Sequence, residues 1–301
     1  MTSDRKIYKK IGKKGDKKSI KREDKRVEPE DATRSEKLQK VLARAGLGSR
    51  RELERWIEQG LIKVNRTTAK IGDRVTPEDT VVVRGRIVKL EKKLERPRKI
   101  LVYNKPVGEI VSRNDPDHKK NVFQNLPRLK GERWIPVGRL DINTSGLLIL
   151  TTDGELAHRL MHPSYEMNRV YAIRVAGQVT DEMIEQLKQG VELEDGMAKF
   201  HSVVEAGGEG VNHWYHVSLH EGRTREVRRI WESLGLMVSR LIRIQYGLVT
   251  LPREVPMGKW QYLSFKLSNQ LAASVGLEAA ERVTEKVWSR GGDRRKPGHR
   301  K

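Results

Sequence analysis

Asp141 is the residue around which chemistry can be built. It stands just ahead of four consecutive apolar residues, Leu147 to Leu150, with Arg139 two positions before it and Asn143, Thr144, Ser145 and Gly146 after it. A carboxylate at the mouth of an apolar strand is costly unless it is paired, hydrogen-bonded or solvated. Two uses fit these residues. Asp141 can form a turn, its side chain capping Ile142–Ser145, or it can serve as a nucleophile or a general base. If the strand begins early, Arg139 and Asp141 share one face and can pair.

Two further groups carry chemistry. Arg223, Arg225, Arg228 and Arg229 crowd the start of the helix in "REVRRIWESLG", where positive charge opposes the helix dipole. Such a cluster suits an anionic partner; a solvated basic face is the other reading. Val227, Ile230, Trp231 and Leu234 form that helix's apolar side. Arg228 therefore falls at the edge of the core, where it can hold a buried carboxylate ionised. Tyr171 lies in the strand "NRVYAIRV", with Val170 and Ala172 on the opposite face. It is either a packing ring with a wet hydroxyl or a ring that stacks on an extruded base. His158 and His162 share a helical face, but no third ligand or HExxH pattern accompanies them. "GGEG" at 207–210 is too short for a phosphate loop, and no serine nucleophile motif occurs.

These residues need elements to place them. Ser35 is expected to cap a helix with the stripe Leu38, Val41, Leu42 and Ala45, stopped at Gly46. Ser49 with Glu52 is a capping box for a second helix carrying Leu53, Trp56 and Ile57 to Gly60. The short strands "LIKVN" and "TVVVRG" follow. "KLEKKLERPRK" is a charged linker. From "ILVYNKPVGEIVS" onward, strands ("GLLILTT", "VYAIRVAG", "WYHVSLH") mix with helices ("DGELAHRLMH", "TDEMIEQLKQG"), and Thr152 with Glu155 is a further capping box. This order predicts an α+β domain on a mixed, largely antiparallel sheet with flanking helices. One more helix is expected within "NQLAASVGLEAAERVTEKVW". The boundaries read as a disordered basic extension (1–33), a small αα-plus-strands module with linker (34–95), the main domain (96–265), and a helix with a basic tail (266–301).

The charge names the kind of partner. Lysine and arginine number 61 against 40 acids, a formal net charge of +21. The first 26 residues hold 12 basic and 4 acidic residues, so most of the excess lies beyond them. Such a balance points to a polyanion. The chain has no cysteine, which excludes thiolate chemistry and favours a reducing compartment. No stretch has the length and apolarity of a membrane span or the apolar core of a secretory signal, so a cytoplasmic protein is expected.

Several of these motifs occur together in one family. "GRLDINTSGLLILTTDGEL", "YNKPVGEIVS", "NRVYAIRV" and "EGRTREVRRIWESLGLMVSRLIRIQYG" resemble, in order, motifs of the RsuA/RluB family of ribosomal RNA pseudouridine synthases. "RNDPDHKKNVFQNLP" and "RLMHPS" look like its 23S rRNA branch. Residues 36–75 resemble an S4 RNA-binding domain, so the resemblance spans about residues 34–265. It implies that Asp141 is the catalytic aspartate, Tyr171 stacks on the target base, Arg228 pairs with Asp141, and Val227 lines the pocket. Lys105 falls in the first motif and is expected to bind substrate. Arg139 would enter the RNA to hold the uridine out. Lys40, Arg44, Arg50, Arg51, Lys63 and Asn65 are candidate RNA contacts of the S4 domain. The implied isomerisation needs no redox change or group donor, so no cofactor or metal is expected. The implied partner is 23S rRNA or an assembling large subunit, met by a monomer. An inactive S4-containing assembly factor and a metal-dependent nuclease are the competing readings.

Overall fold

The computed structural model describes residues 35–88, 90, 97–113, 115, 117 and 120–280. The expected disorder of 1–33, the basic tail and most of the linker lie outside these residues.

The N-terminal module runs β1 (Glu36–Lys37), α1 (Leu38–Arg44), α2 (Arg50–Glu58), β2 (Ile62–Val64), β3 (Thr67–Thr68), β4 (Arg74–Val75), β5 (Val81–Val83) and β6 (Arg86–Val88). Strands β3-β2-β5-β6 form one antiparallel sheet, and β1 pairs with β4. Leu38, Leu42, Leu53 and Ile57 bury the helical stripes against Ile62, Val75 and Val81. The capping box on α2 forms as expected: Glu52 N donates to Ser49 Oγ at 3.1 Å, and Ser49 N donates to Glu52 Oε2 at 3.3 Å. The expected Ser35 cap does not form. Pairing of Glu36 and Lys37 with β4 keeps that backbone extended, so α1 starts at Leu38 without a side-chain cap.

The main domain contains β7 (Ile100–Lys105), β8 (Ile135–Pro136), β9 (Ser145–Thr151), α3 (Gly154–Met161), β10 (Arg169–Ala176), α4 (Asp181–Gln189), β11 (Val191–Leu193) and β12 (Gly196–Ala198). It continues with β13 (Ser202–Glu209), β14 (Asn212–Leu219), α5 (Glu226–Glu232), β15 (Met237–Tyr246), β16 (Val249–Thr250), β17 (Trp260–Tyr262) and α6 (Phe265–Ala273). Its sheet has the order β13-β14-β10-β15-β9-β7-β17, with β8 beside β9 and β16 beside β15. Among the described strand pairs only β9–β15 is parallel, so the α+β, largely antiparallel expectation holds. Strand β9 explains its own apolar run. Leu147 and Ile149 pack under α3 and α6, while Leu148 and Leu150 pack on the other face with Val122, Trp134 and Leu140.

Two caps and one boundary differ from the sequence reading. Asp153, not Thr152, caps α3, accepting from the backbone of Glu155 at 2.9 Å and Leu156 at 3.1 Å. The Thr152 hydroxyl instead accepts from Lys99 N at 3.0 Å. The C-terminal helix begins at Phe265, capped by Ser264. Leu271, Ala272 and Val275 pack with Leu156 and Leu160 of α3. That burial makes α6 part of the main domain's core, so the domain runs past 265. The two modules touch closely: a side chain at Gly46, where φ is +78°, would meet the Gly131 carbonyl oxygen at 2.3 Å.

Candidate active site

Asp141 lies on a turn between β8 and β9 rather than on the strand, which begins at Ser145. The shared face expected for Arg139 and Asp141 is therefore absent, and no ion pair joins them among the described residues. What distinguishes the turn is its backbone. Asp141 O accepts from Thr144 N at 3.0 Å and from Lys105 Nζ at 3.1 Å. Ile142 O accepts from Gly108 N at 2.8 Å, Asn143 O from Arg228 Nη2 at 3.0 Å, and Thr144 O from Lys105 Nζ at 2.8 Å. All four carbonyls are held. The Asp141 carboxylate is solvent-exposed and has no hydrogen-bond partner among the described residues. The turn is thus built by groups other than the side chain suspected of building it.

Lys105 is fully buried, and its ammonium meets three carbonyls, Pro106 O at 3.0 Å included. The structure thus departs from the expected substrate contact: Lys105 is held inside the fold by the turn it supports. Burial pushes its pKa down to about 8, against the opposing pull of Glu109 and Asp141. Arg228 is buried too, its Nη1 donating to Val238 O at 2.6 Å. Burial, then the neighbouring Arg225, pull its guanidinium below its ordinary range, and Asp141 opposes them. Asp141 and Arg228 therefore feel each other's charge, but they make no direct ion pair within 4.0 Å among the described residues. Arg228 reaches Asp141 through the turn's backbone.

The turn opens on a cavity of about 500 Å³, within the size range of sites for small organic groups. Arg139, Asp141 and Thr144 line it together with Tyr171, Val227, Leu241 and Arg243. Tyr171 and Val227 are buried in one apolar cluster, and Arg139 is exposed. The Thr144 hydroxyl is buried without a partner among the described residues. The cavity also takes in Arg169, Arg223 and Arg225, so its field is positive despite Asp141 and Glu226.

The arginine cluster divides by task. Arg229 forms a two-pronged pair with Asp195 at 2.8 and 2.9 Å, and Arg223 pairs with Glu221 at 2.6 Å. Arg225 takes the N-cap position of α5 in the left-handed region, with φ +52° and no side-chain cap bond. Arg225 is exposed and pairs with Glu232 at 3.4 Å, which leaves it the most accessible of the four to an anion. His158 on α3 and His162 just past its end lie 5.7 Å apart between ring centres, and no group of three ligating side chains occurs among the described residues.

The S4-type contacts divide as well. Arg50, Arg51 and Lys63 are exposed. Lys40 pairs with Glu36 at 3.0 Å and with Glu155 of α3 at 3.2 Å, and Arg44 pairs with Glu36 at 2.5 Å. Asn65, expected to contact RNA, is a turn clamp: its amide donates to Asp79 at 2.6 Å and its oxygen accepts from Thr80 N at 3.0 Å. A cleft of about 360 Å³ between the modules gathers Lys40, Arg44, Arg50, Arg51, Arg133 and Met161, and Met161 also lines the main cavity. Arg133 and Arg243 are not among the sequence candidates. The signal for Arg243 is an arginine on the inward-facing side of "RLIRIQY", where Leu241 and Tyr246 are buried.

Comparison with known proteins fits this geometry. Residues 99–233 match the model of the RNA pseudouridylate synthases, and residues 36–81 match the S4 domain. A curated Pseudomonas aeruginosa protein, "Ribosomal large subunit pseudouridine synthase B", is 55% identical over 244 residues, covering 81% of this chain and 63% of that protein. This chain belongs to the RNA pseudouridine synthase family. An Escherichia coli K12 synthase of the same name is 54% identical over 245 residues, covering 81% of this chain and 84% of its own length. A solved pseudouridylate synthase shares the fold, with TM-score 0.55 and 24% identity over 78% of this chain and 99% of that one. As an RNA pseudouridine synthase, the enzyme isomerises uridine, a reaction that leaves the elemental composition of the substrate unchanged.

Proposed function

We propose that this synthase acts on a uridine in 23S rRNA of the large ribosomal subunit, with Asp141 as the group that attacks the ribose. The observation that carries this reading is the exposed carboxylate on a turn whose four carbonyls are all held. The side chain is free while its base is rigid, which is the preorganisation that covalent or proton-transfer catalysis needs. The ionised carboxylate either bonds to C1′ as the C1′–N1 bond breaks, or removes the C2′ proton. The uracil then turns and joins C1′ through C5.

Tyr171 stacks on the extruded base, and Val227 closes the apolar side of its pocket. Arg139, exposed at the rim, takes the space that the base vacates, offsetting an unstacking cost of a few kcal/mol. Arg228 acts as a positioning residue through the Asn143 carbonyl and steadies the Asp141 charge. Arg50, Arg51 and Lys63 meet RNA phosphates, with Lys40 and Arg44 beside them. No cofactor takes part. The enzyme works as a monomer in the cytoplasm; among the described residues no helix is long and apolar enough to cross a membrane.

The test is pseudouridine mapping of unmodified 23S rRNA after incubation with the wild type and with D141N. The expected result is one or a few modified positions for the wild type, and a loss of at least 1,000-fold for D141N with RNA affinity retained; catalysis that survives in D141N overturns the assignment. The same positions are expected to be unmodified in rRNA from cells lacking the protein.

A further inference from the structure

Arg243 is a buried charge that the roles above leave unused. It lies on β15 with 2% of its surface exposed. Its Nε donates to Leu147 O at 2.8 Å, and its Nη2 is buried with no partner among the described residues. No carboxylate pairs with it among the described residues. The Tyr246 ring centre lies 5.2 Å from its guanidinium carbon. A desolvated cation without a counter-ion is unfavourable, and points to negative charge that arrives with the substrate. Tyr171 is its register partner across the β10–β15 pair, so both side chains share a sheet face, and both line the cavity with Asp141.

We propose that Arg243 stabilises the uracil as it departs as an anion. When C1′–N1 breaks, the electron pair leaves on N1 and spreads over O2 and O4. This holds whether Asp141 has bonded to C1′ or removed the C2′ proton. C5 then bonds to C1′ as the carboxylate leaves C1′ or returns the C2′ proton. The hydrogen on C5 is lost as a proton and N1 gains one, so the atoms balance with no oxidant or donor. A guanidinium held dry and rigid beside the developing anion stabilises the transition state more than the neutral base. A backbone phosphate is the poorer candidate, because Arg243 lies on the buried floor beside Tyr171, whereas Arg139 and Arg225 stand exposed at the rim. The proposal rests on reading the cavity as the nucleoside site with Asp141 at the ribose.

The experiment compares R243M and R243K with the wild type on the mapped 23S rRNA fragment, carrying either uridine or 5-fluorouridine at the target. Single-turnover cleavage of the C1′–N1 bond is the readout. Fluorine makes the departing anion more stable, so it reduces the need for Arg243. R243M is expected to lose about 100-fold on uridine and about 10-fold or less on 5-fluorouridine, while R243K recovers most of the rate. If R243M does not fold, the displaced charge of R243K is expected to show the same substrate dependence in smaller measure. Equal losses on both substrates overturn the proposal and leave Arg243 a structural residue. A loss confined to KM overturns it in favour of a phosphate contact. D141N run alongside separates the readings: turnover retained there removes Asp141 from the chemistry without altering the Arg243 comparison.

Discussion

Three carbonyls converge on the Lys105 ammonium, two of them from the Asp141 turn. Replacing it by methionine keeps the bulk and removes the donors; each oxygen left unpaired costs about 1–3 kcal/mol, but Asp141 O keeps its bond from Thr144 N and the desolvated cation is gone, which offsets part of the loss. K105M is therefore expected to lose about 2–4 kcal/mol of stability in denaturant unfolding, and to slow single-turnover catalysis 10- to 100-fold without weakening RNA binding. A fall in affinity with an unchanged rate constant would return Lys105 to the role of substrate contact. The pH dependence has a definite sign. Burial holds Lys105 at about 8 in the folded protein, against a usual 10.5. Between those values the unfolded chain binds the extra proton, so stability rises with pH across that window. Unfolding measured from pH 7.5 to 10.5 is expected to show this rise in the wild type and a flatter profile in K105M. Arg228 serves the same turn by geometry. R228K keeps the charge but cannot reach Val238 O and Asn143 O together, so its rate is expected to fall at least 10-fold while RNA affinity holds.

At the scale of elements, the site depends on where β9 and β15 meet. Gly146 faces Arg243 across this parallel pair, with φ at +98°. A side chain there would stand 2.3 Å from the Arg243 carbonyl oxygen, and backbone cannot yield as a flexible side chain does. G146A is thus expected to destabilise by more than about 2 kcal/mol and to lose activity with it, measured by thermal unfolding beside single-turnover rates. Much of this architecture was legible in the chain. The run Leu147–Leu150 announced a strand buried on both faces, Ser49 with Glu52 announced a helix start, and the charge excess announced a polyanion. The failures have physical causes. Thr152 and Asp153 are both good caps, and the choice went to Asp153 because the Thr152 hydroxyl was claimed by Lys99, distant in sequence. Lys105 stands in a motif that suggests a substrate contact, and only the fold, which wraps carbonyls around it, makes it a buried support. Half of the arginine cluster meets acids on β11–β12 and in the preceding loop, pairings that spacing along one helix cannot reveal.

Across the whole molecule, the two modules build one positive surface. Lys40 bridges to Glu155, Gly46 lies against Gly131, and the cleft between them shares Met161 with the main cavity. Arg133 enters this cleft from the main domain with its Nε buried and unpartnered among the described residues. Burial first, and then Arg50 across the cleft, pull its guanidinium below its ordinary range, and Glu52 opposes them only in part. Two like charges facing each other from different modules relax if a phosphate settles between them. An RNA strand leaving the cavity past Met161 would supply that phosphate, and would thereby link S4 binding to presentation of the uridine. R50A and R133A are each expected to weaken RNA binding and to lower the slope of log affinity against log salt by about 1. The double variant should lose less than the sum of the single losses, because both remove the same phosphate. Rate constants at saturating RNA are expected to match the wild type, since neither arginine touches the turn that carries Asp141. Binding titrations at several salt concentrations, with single-turnover rates on the same proteins, check all three expectations; strictly additive losses would mean that the two arginines hold separate phosphates.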